Sequence, residues 1–148
     1  QVSEQVSANM DWLPTLLAAA GTVPDPAYPP DGMNLLPHLT EGAPVAERKL
    51  FWRYKGLWQR AARIGNWKYL KILDNTFLFN VVDDPLERAN LKERRKDIYE
   101  RLVGEWNAWN ATMLPETVTS STDNFTGAEM ADHIGTKRVT LDPDPDLR

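Results

Sequence analysis

The sequence predicts an α+β fold in which one long C-terminal helix packs on a four-stranded antiparallel sheet. Three observations predict it. Apolar residues recur with a helical period of about 3.6 in residues 11–21, with a strand period of about two between Leu50 and Val82, and again with the helical period after Asn90. A chain of 148 residues can also bury one modest core.

Composition limits the classes of function. No apolar run approaches the ~18 residues of a membrane-spanning helix, and residues 1–7 lack the basic flank of a signal peptide. We therefore expect a soluble chain without membrane contact, whose compartment stays open. The absence of cysteine excludes disulfides and thiolate metal sites. Residues 115–148 carry the whole net charge of −4, so the neutral remainder gives no reason to expect a nucleic-acid partner.

Residues 11–21 predict the first helix. Asp11 suits its N-cap, and Gly21 suits the left-handed position that ends a helix. Prolines at 24, 26, 29 and 30 then exclude regular structure, and a short helical turn is expected from Met33 to Leu39. The apolar side chains of the helix form one wide stripe, which consists of Trp12, Leu13, Leu16, Leu17 and Ala20.

Alternating residues predict an antiparallel meander of four strands, at residues 50–54, 58–64, 67–73 and 76–82. In the first strand one face is expected to be buried and the other mostly wet. The predicted turns are Lys55-Gly56, Gly65-Asn66 as the positive-φ pair of a tight hairpin, and Asp74-Asn75. In the first strand, Leu50, Trp52 and Tyr54 alternate with Phe51, Arg53 and Lys55.

The C-terminal helix is predicted from about Asn90 to Met113, with Asn90 and Glu93 as a capping box. Its apolar stripe should lie across the sheet. That stripe consists of Leu91, Ile98, Leu102, Trp106, Trp109 and Met113. Beyond it, residues 115–148 form a predicted linker and acidic tail with one short helix from Phe125 to Gly135.

Several side chains admit both a functional and a structural interpretation. Asp83-Asp84 is better explained as a turn than as a pair of metal ligands, and His38 and His133 as surface or packing residues. Residues 48–71 hold eight basic and no acidic side chains. We favour the interpretation that they form a solvated face of the sheet over the alternative that they bind an anion. We expect the aromatic residues of the strands to be part of the core rather than a platform on which sugars or bases stack. These residues are Trp52, Tyr54, Trp58, Trp67 and Tyr69.

Four segments, in this order, resemble the C-terminal part of type I sulfatases, the arylsulfatase-like enzymes of the alkaline phosphatase superfamily. The first two are Asp11 with Leu13-Pro14-Thr15-Leu16-Leu17 and Ala20-Gly21, and Asp31-Gly32 with Leu35-Leu36 and Leu39. The third is Arg63, Gly65 and Trp67-Lys68-Tyr69. The fourth is Leu78-Phe79-Asn80 followed by Asp84-Pro85, Glu87 and Asn90-Leu91. The resemblance covers roughly residues 7–114.

The resemblance implies a larger α/β catalytic domain upstream, with the helix that begins at Asp11 as its last element. It implies domains at 1–47, 48–114 and 115–148. In the family, a formylglycine made from the Cys or Ser of a C/S-x-P-x-R motif attacks the sulfate beside a divalent cation, calcium or similar. None of the serines here is followed by Pro and Arg at that spacing; they are Ser3, Ser7, Ser120 and Ser121. No catalytic, cofactor-binding or metal-ligating residue is therefore expected in this chain.

The resemblance thus implies an inactive C-terminal fragment of a sulfuric ester hydrolase. The expected partners are the upstream catalytic domain, a sulfate-ester substrate held through that domain, and a second copy of the fragment. The alternatives are a stand-alone module that binds an anionic glycan or nucleic acid, and a fragment of a related phosphonate monoester hydrolase. The candidates for a wall of the substrate cleft are Trp52, Tyr54, Trp58 and Arg60.

Overall fold

A computed structural model describes residues 2–54 and 59–115. The chain divides after Arg48 into two compact units. The predicted turn Lys55-Gly56 and the predicted helix from Phe125 to Gly135 lie outside the described residues. Within the described ranges, the helices are all too short or too polar to cross a membrane.

The N-terminal unit contains two short helices. A 3-10 turn at Asn9–Asp11 leads into α1, Trp12–Ala19, and α2 spans Leu36–Thr40. Gly21 follows α1 with φ +72°, which confirms the predicted left-handed ending. The proline-rich segment between the helices has no regular structure, as predicted.

Gly32 lets this segment return closely against the start of α1. A Cβ atom at this position would overlap the Met10 carbonyl group and the Asp11 Cα atom. Both obstacles are backbone, so neither can rotate away. The need for glycine in the Asp31-Gly32 pair is therefore steric, since this chain crossing has no room for a side chain.

Within its described residues, the C-terminal unit is a four-stranded antiparallel meander with one helix, which confirms the predicted α+β architecture. The strands are β1 (Lys49–Tyr54), β2 (Gln59–Ile64), β3 (Trp67–Ile72) and β4 (Asn75–Asn80). They lie in the order β1-β2-β3-β4, so each strand pairs with the next one along the chain. The two hairpins at Gly65 and Leu73 have two-residue loops.

Both hairpin turns differ in detail from the prediction. Gly65 has φ +56°, but Asn66 is not among the described residues with positive φ, so only half of the predicted pair is right. A positive φ at the first position alone suits a II′ turn. The next turn is Leu73-Asp74 rather than Asp74-Asn75, because Asn75 already pairs with Ile72. Leu73 itself has φ +53°, which its side chain disfavours.

The long helix, α3, spans Lys96–Asn110 and begins six residues later than predicted. The predicted capping box is wrong because Asn90 bonds to the sheet instead. Its Oδ1 accepts hydrogen bonds from the backbone N–H of Leu78 at 3.0 Å and of Lys92 at 3.2 Å, and its Nδ2 donates to the Thr76 carbonyl at 3.1 Å. This side chain therefore ties the segment before α3 to β4.

The core lies between α3 and one face of the sheet. Its buried members are Ala62, Ile64, Tyr69, Leu78, Leu102 and Trp106, with Phe51, Trp67, Leu91, Ile98, Tyr99, Val103 and Trp109 packed around them. The helix covers the Phe51 side of β1, where the Phe51 ring stacks on Trp109 at 5.4 Å. Trp52 and Tyr54 lie on the other side and are exposed, so the expected burial of these two aromatics is wrong. Leu50 on that same side is buried.

Candidate functional site

A buried carboxylate organises the N-terminal unit. Asp11 is fully buried and forms a bidentate ion pair with Arg48, with Nη1–Oδ2 and Nη2–Oδ1 distances of 2.5 and 2.8 Å. The same carboxylate accepts hydrogen bonds from the backbone N–H groups of Ala8 at 2.7 Å and Met33 at 2.8 Å. Asp11 is the N-cap residue of α1, as predicted, but its side chain makes no capping hydrogen bond to that helix and instead holds three separate stretches of chain together.

Thr15 extends this network by one turn of α1. Its hydroxyl donates to the Asp11 carbonyl at 2.6 Å and accepts a hydrogen bond from the backbone N–H of Leu35 at 2.8 Å. Leu35 is buried beside it. The residues that follow Gly32 are thus fixed to the start of α1, through the backbone N–H groups of Met33 and Leu35.

The surroundings of Asp11 keep its carboxyl group ionised. Burial alone would raise the pKa, but the hydrogen bonds from Arg48, Ala8 and Met33 together with the Arg48 charge outweigh it, and the pKa lies below the ordinary value of 3.8. The group is therefore a structural anion at neutral pH. Its neutralised charge and filled hydrogen-bonding capacity leave it no role as a proton donor.

The large side chains of the stripe on α1 are exposed. Trp12, Leu13 and Leu16 expose 55%, 58% and 61% of their surface, whereas Pro14 and Thr15 on the opposite side are buried. Three large apolar side chains on one face of an eight-residue helix form a contiguous patch of a kind that usually marks an interaction site.

Three of the four cleft-wall candidates lie within the described residues, and these three do not share one face of the sheet. Trp52 and Tyr54 lie on the open side of β1, with 47% and 55% of their surface exposed. Arg60 lies on the opposite side of the sheet, beneath α3, with its guanidinium carbon 4.6 Å from the centre of the Trp106 ring. Trp58 lies outside the described residues. Among the three described candidates, the aromatic pair on β1 lies on one shared face.

At least four of the eight basic residues in the segment 48–71 have structural partners that reduce the need for an external anion. Lys49 pairs with Glu105 and Lys68 with Glu87, each at 2.6 Å. Arg48 pairs with Asp11, and Arg63 donates to the Gly65 carbonyl at 3.4 Å. These partners explain much of the local excess of positive charge without an external anion.

The described residues offer no metal centre. Nowhere in residues 2–54 and 59–115 do three or more His, Asp or Glu side chains lie close enough together to hold an ion. Asp84 accepts a hydrogen bond from the Ala89 N–H at 2.8 Å, as expected for the predicted turn. His38 lies half-buried with Nδ1 3.2 Å from the Ala43 carbonyl oxygen, and His133 falls outside the described residues.

Sequence comparison relates the chain to sulfatases. It is 28% identical to an uncharacterized sulfatase of Schizosaccharomyces pombe over 90% of this chain and 25% of that protein. It is 41% identical to human N-acetylgalactosamine-6-sulfatase over 46% of this chain and 13% of that enzyme. The chain thus spans at most about a quarter of the relatives it matches. No protein-family model matches it.

Comparison with solved structures also finds proteins that share this fold. The crystal structure of Ps i-CgsB superposes with a TM-score of 0.60 and 25% identity, covering 71% of this chain and 24% of that one. Ps i-CgsB in complex with k-i-k-neocarrahexaose gives a TM-score of 0.56 and 26% identity, over 67% of this chain and 23% of that one. The fold described above is therefore shared by a portion of a much longer protein.

Proposed function

We propose that this chain, which has the sequence and the fold of a sulfatase C-terminal region, acts as the non-catalytic C-terminal part of a sulfuric ester hydrolase. The observation that carries the proposal is that the likeness extends over 90% of the chain but only 25% of a sulfatase. The C-terminal unit supplies its own core, so its role in the whole enzyme is to brace and to shape rather than to react.

The reacting groups of the whole enzyme would belong to the remainder of the polypeptide. A sulfatase parent would use a formylglycine nucleophile and a divalent cation, calcium or similar. The chain does not fit the nucleophile, because cysteine is absent and no serine is followed by Pro and Arg at the spacing of the motif. It does not fit the cation either, because no cluster of carboxylates or imidazoles is formed among the described residues. We therefore assign no catalytic step to this chain.

The exposed stripe on α1 is the proposed contact with the catalytic domain. Burial of one Leu or Trp side chain stabilises a protein by roughly 1.5 to 3 kcal/mol, so three such side chains left in water would favour any surface that covers them. In the whole enzyme that surface would be the α/β domain. In the isolated fragment, the only apolar surface available in quantity is a second copy of the chain.

The exposed pair Trp52 and Tyr54 is the proposed contribution to the substrate cleft. Aromatic rings present flat apolar faces that suit the apolar face of a sugar ring, and their polar tips can stay in water. The names of two relatives support a saccharide substrate, since one is a sulfatase of N-acetylgalactosamine 6-sulfate and the other was solved with k-i-k-neocarrahexaose. The proposed substrate class is therefore a sulfate ester of a saccharide.

The bracing role predicts self-association through the stripe. We expect the weight-average mass of the 148-residue chain, measured by light scattering, to rise with concentration. A Leu13→Asp, Leu16→Asp double variant should remain monomeric, because a buried contact cannot accept two unpaired carboxylates.

The matched control is a Val2→Asp, Val23→Asp double variant, which adds the same charge at two exposed apolar positions of the same unit. It should associate as the parent does. A parent that stays monomeric at every concentration, or a control that is as monomeric as the test variant, would contradict docking through α1.

A further inference from the structure

Basic side chains stand opposite one another at one end of the sheet, on the side that α3 covers. Arg53 of β1 pairs with Arg60 of β2, and Arg60 pairs with Lys71 of β3. Lys71 pairs with Thr76 of β4, whose hydroxyl accepts a hydrogen bond from Lys92 Nζ at 3.3 Å. We call Arg53, Arg60, Lys71 and Lys92 the basic row.

The basic row lacks acidic partners within the described part of the chain. Five ion pairs form there, and none of them includes a member of the row. Asp74, in the turn next to Lys71, is exposed and forms none of these pairs. Like charges that face each other across neighbouring strands destabilise a sheet. An anion bound along the row would remove that repulsion.

Arg60 is the central member of the row, since it pairs with both Arg53 and Lys71. Its guanidinium group stacks over the Trp106 ring at 4.6 Å, and its buried Nε has no hydrogen-bond partner among the described residues. Buried donors in native proteins nearly always have a partner, so this one calls for an acceptor. Arg53, by contrast, already donates to the Asn110 side chain at 3.1 Å and to the Leu114 carbonyl at 2.7 Å.

The Tyr69 phenol lies near enough to Arg60 for the guanidinium charge to act on it. The Tyr69 and Tyr99 rings meet edge to face at 5.8 Å. Burial first and the neighbouring Tyr99 second raise the pKa of Tyr69 to about 12, and the Arg60 charge opposes that rise. The Tyr69 hydroxyl therefore stays protonated at neutral pH and adds a neutral donor beside Arg60.

We propose that the basic row is an oxyanion-binding site that takes a sulfate group of an anionic saccharide. Guanidinium forks match tetrahedral oxyanions with paired hydrogen bonds, and lysine ammonium groups add point charges around them. The sulfated saccharide as the source of the oxyanion rests on the proposed function. The row lies on the sheet face opposite Trp52 and Tyr54, so it is separate from the proposed cleft wall and would hold a different sulfate from the one released.

The acidic tail of the chain is the other source of oxyanions. Residues 116–148 contain seven acidic side chains, and the chain leaves the described structure beside Arg53, which binds the Leu114 carbonyl. A truncation after Pro115 therefore separates the two sources. If the saccharide is the ligand, the truncated chain should bind it at least as tightly as the full chain.

The test is titration calorimetry of the 148-residue chain at low salt with a sulfated dextran oligosaccharide, the same oligosaccharide without sulfate, and inorganic sulfate. We expect binding of the sulfated oligosaccharide and none of the unsulfated one, with inorganic sulfate weaker. Arg60→Gln and Lys71→Gln should each lower the affinity about tenfold, since each removes one charge-assisted contact. Arg60→Lys should lose most of the same affinity, because an ammonium group cannot replace the fork.

Arg101→Gln is the matched control, because it removes one positive charge from an exposed position on α3. It should bind as the parent does. Three results would overturn the proposal: a loss in Arg101→Gln equal to that in Arg60→Gln, binding that appears only after truncation, or inorganic sulfate that binds as tightly as the oligosaccharide. This experiment measures binding and not hydrolysis, so the absence of binding would not contradict the proposal of a sulfuric ester hydrolase. In the same way, a whole polypeptide without sulfatase activity would not change the measured binding.

Discussion

Replacing Asp11 by alanine should destabilise the N-terminal unit by about 3–5 kcal/mol, the usual cost of breaking a buried ion pair on one side only. The change would leave the Arg48 guanidinium, which is almost as buried as its partner, without a counter-charge. It would also leave the backbone N–H groups of Ala8 and Met33 without their acceptor. Hydrogen exchange of those two amides measures the loss directly.

Asp31→Ala is the control for this experiment, since Asp31 is exposed and close in sequence to Met33. It should leave the exchange rates of both amides unchanged. Equal rates in the Asp11→Ala and Asp31→Ala variants would show that the carboxylate does not hold the unit together.

The Asp11 carboxylate should also make the stability of the N-terminal unit depend on pH in the acidic range. The pKa of Asp11 is lower in the folded chain than its ordinary value of 3.8, so its stabilising contribution is complete above that pH and is lost as the pH falls through the lower folded pKa. The opening of the Met33 amide should therefore become easier in that acidic window. An Asp11→Asn variant, already without the charge, should lack this particular pH dependence.

Trp106→Ala should have a comparable effect on the C-terminal unit, about 3–5 kcal/mol, because it empties the largest buried position beneath α3. The indole fills the core beside Leu102, supports the Arg60 guanidinium, and donates from Nε1 to the Trp52 carbonyl at 3.0 Å. Urea unfolding followed by circular dichroism measures the change.

Trp106→Phe separates packing from hydrogen bonding. It keeps an aromatic ring in the core but removes the donor to Trp52, so a smaller loss of about 1–2 kcal/mol is expected. If both variants unfold at the urea concentration of the parent, α3 does not cover the sheet in the way described.

The strands and the main helix could be predicted because local patterns specify them. Alternation specifies each strand, Gly65 supplies the positive φ that a tight turn needs, and the helical spacing places Leu102 and Trp106 on one buried face. Strands that are joined by short turns usually lie side by side in the sheet. The predicted turns were therefore enough to predict the strand order of the meander.

The polar connections could not be predicted because each has a plausible local alternative. Asp11 and Asn90 both precede helical sequence and therefore suggest caps, yet their side chains bind partners that are distant in the sequence or lie across the sheet. Nothing in the spacing of Arg48 indicates that it reaches Asp11. Such pairings depend on tertiary structure, whereas the periodicity of apolar residues predicts only the secondary structure.

The candidate site was predicted only in part, for a related reason. A period of about two assigns Trp52 and Tyr54 to one face of β1 and Arg53 to the other, but it does not say which face the helix will cover. The structure places α3 on the Arg53 side, so the aromatic pair is exposed and Arg60 is covered. The row of cations across three strands becomes visible only once the register is known.

The proposal that this chain is the non-catalytic part of a sulfuric ester hydrolase is tested most directly by aryl sulfate hydrolysis. The assay compares the isolated 148-residue chain with the polypeptide translated from the whole reading frame that contains it, each with divalent metal. We expect turnover by the whole polypeptide and none by the isolated chain above a control with metal alone. Turnover by the isolated chain that survives repurification would contradict the proposal, because it would require a catalytic site within these residues.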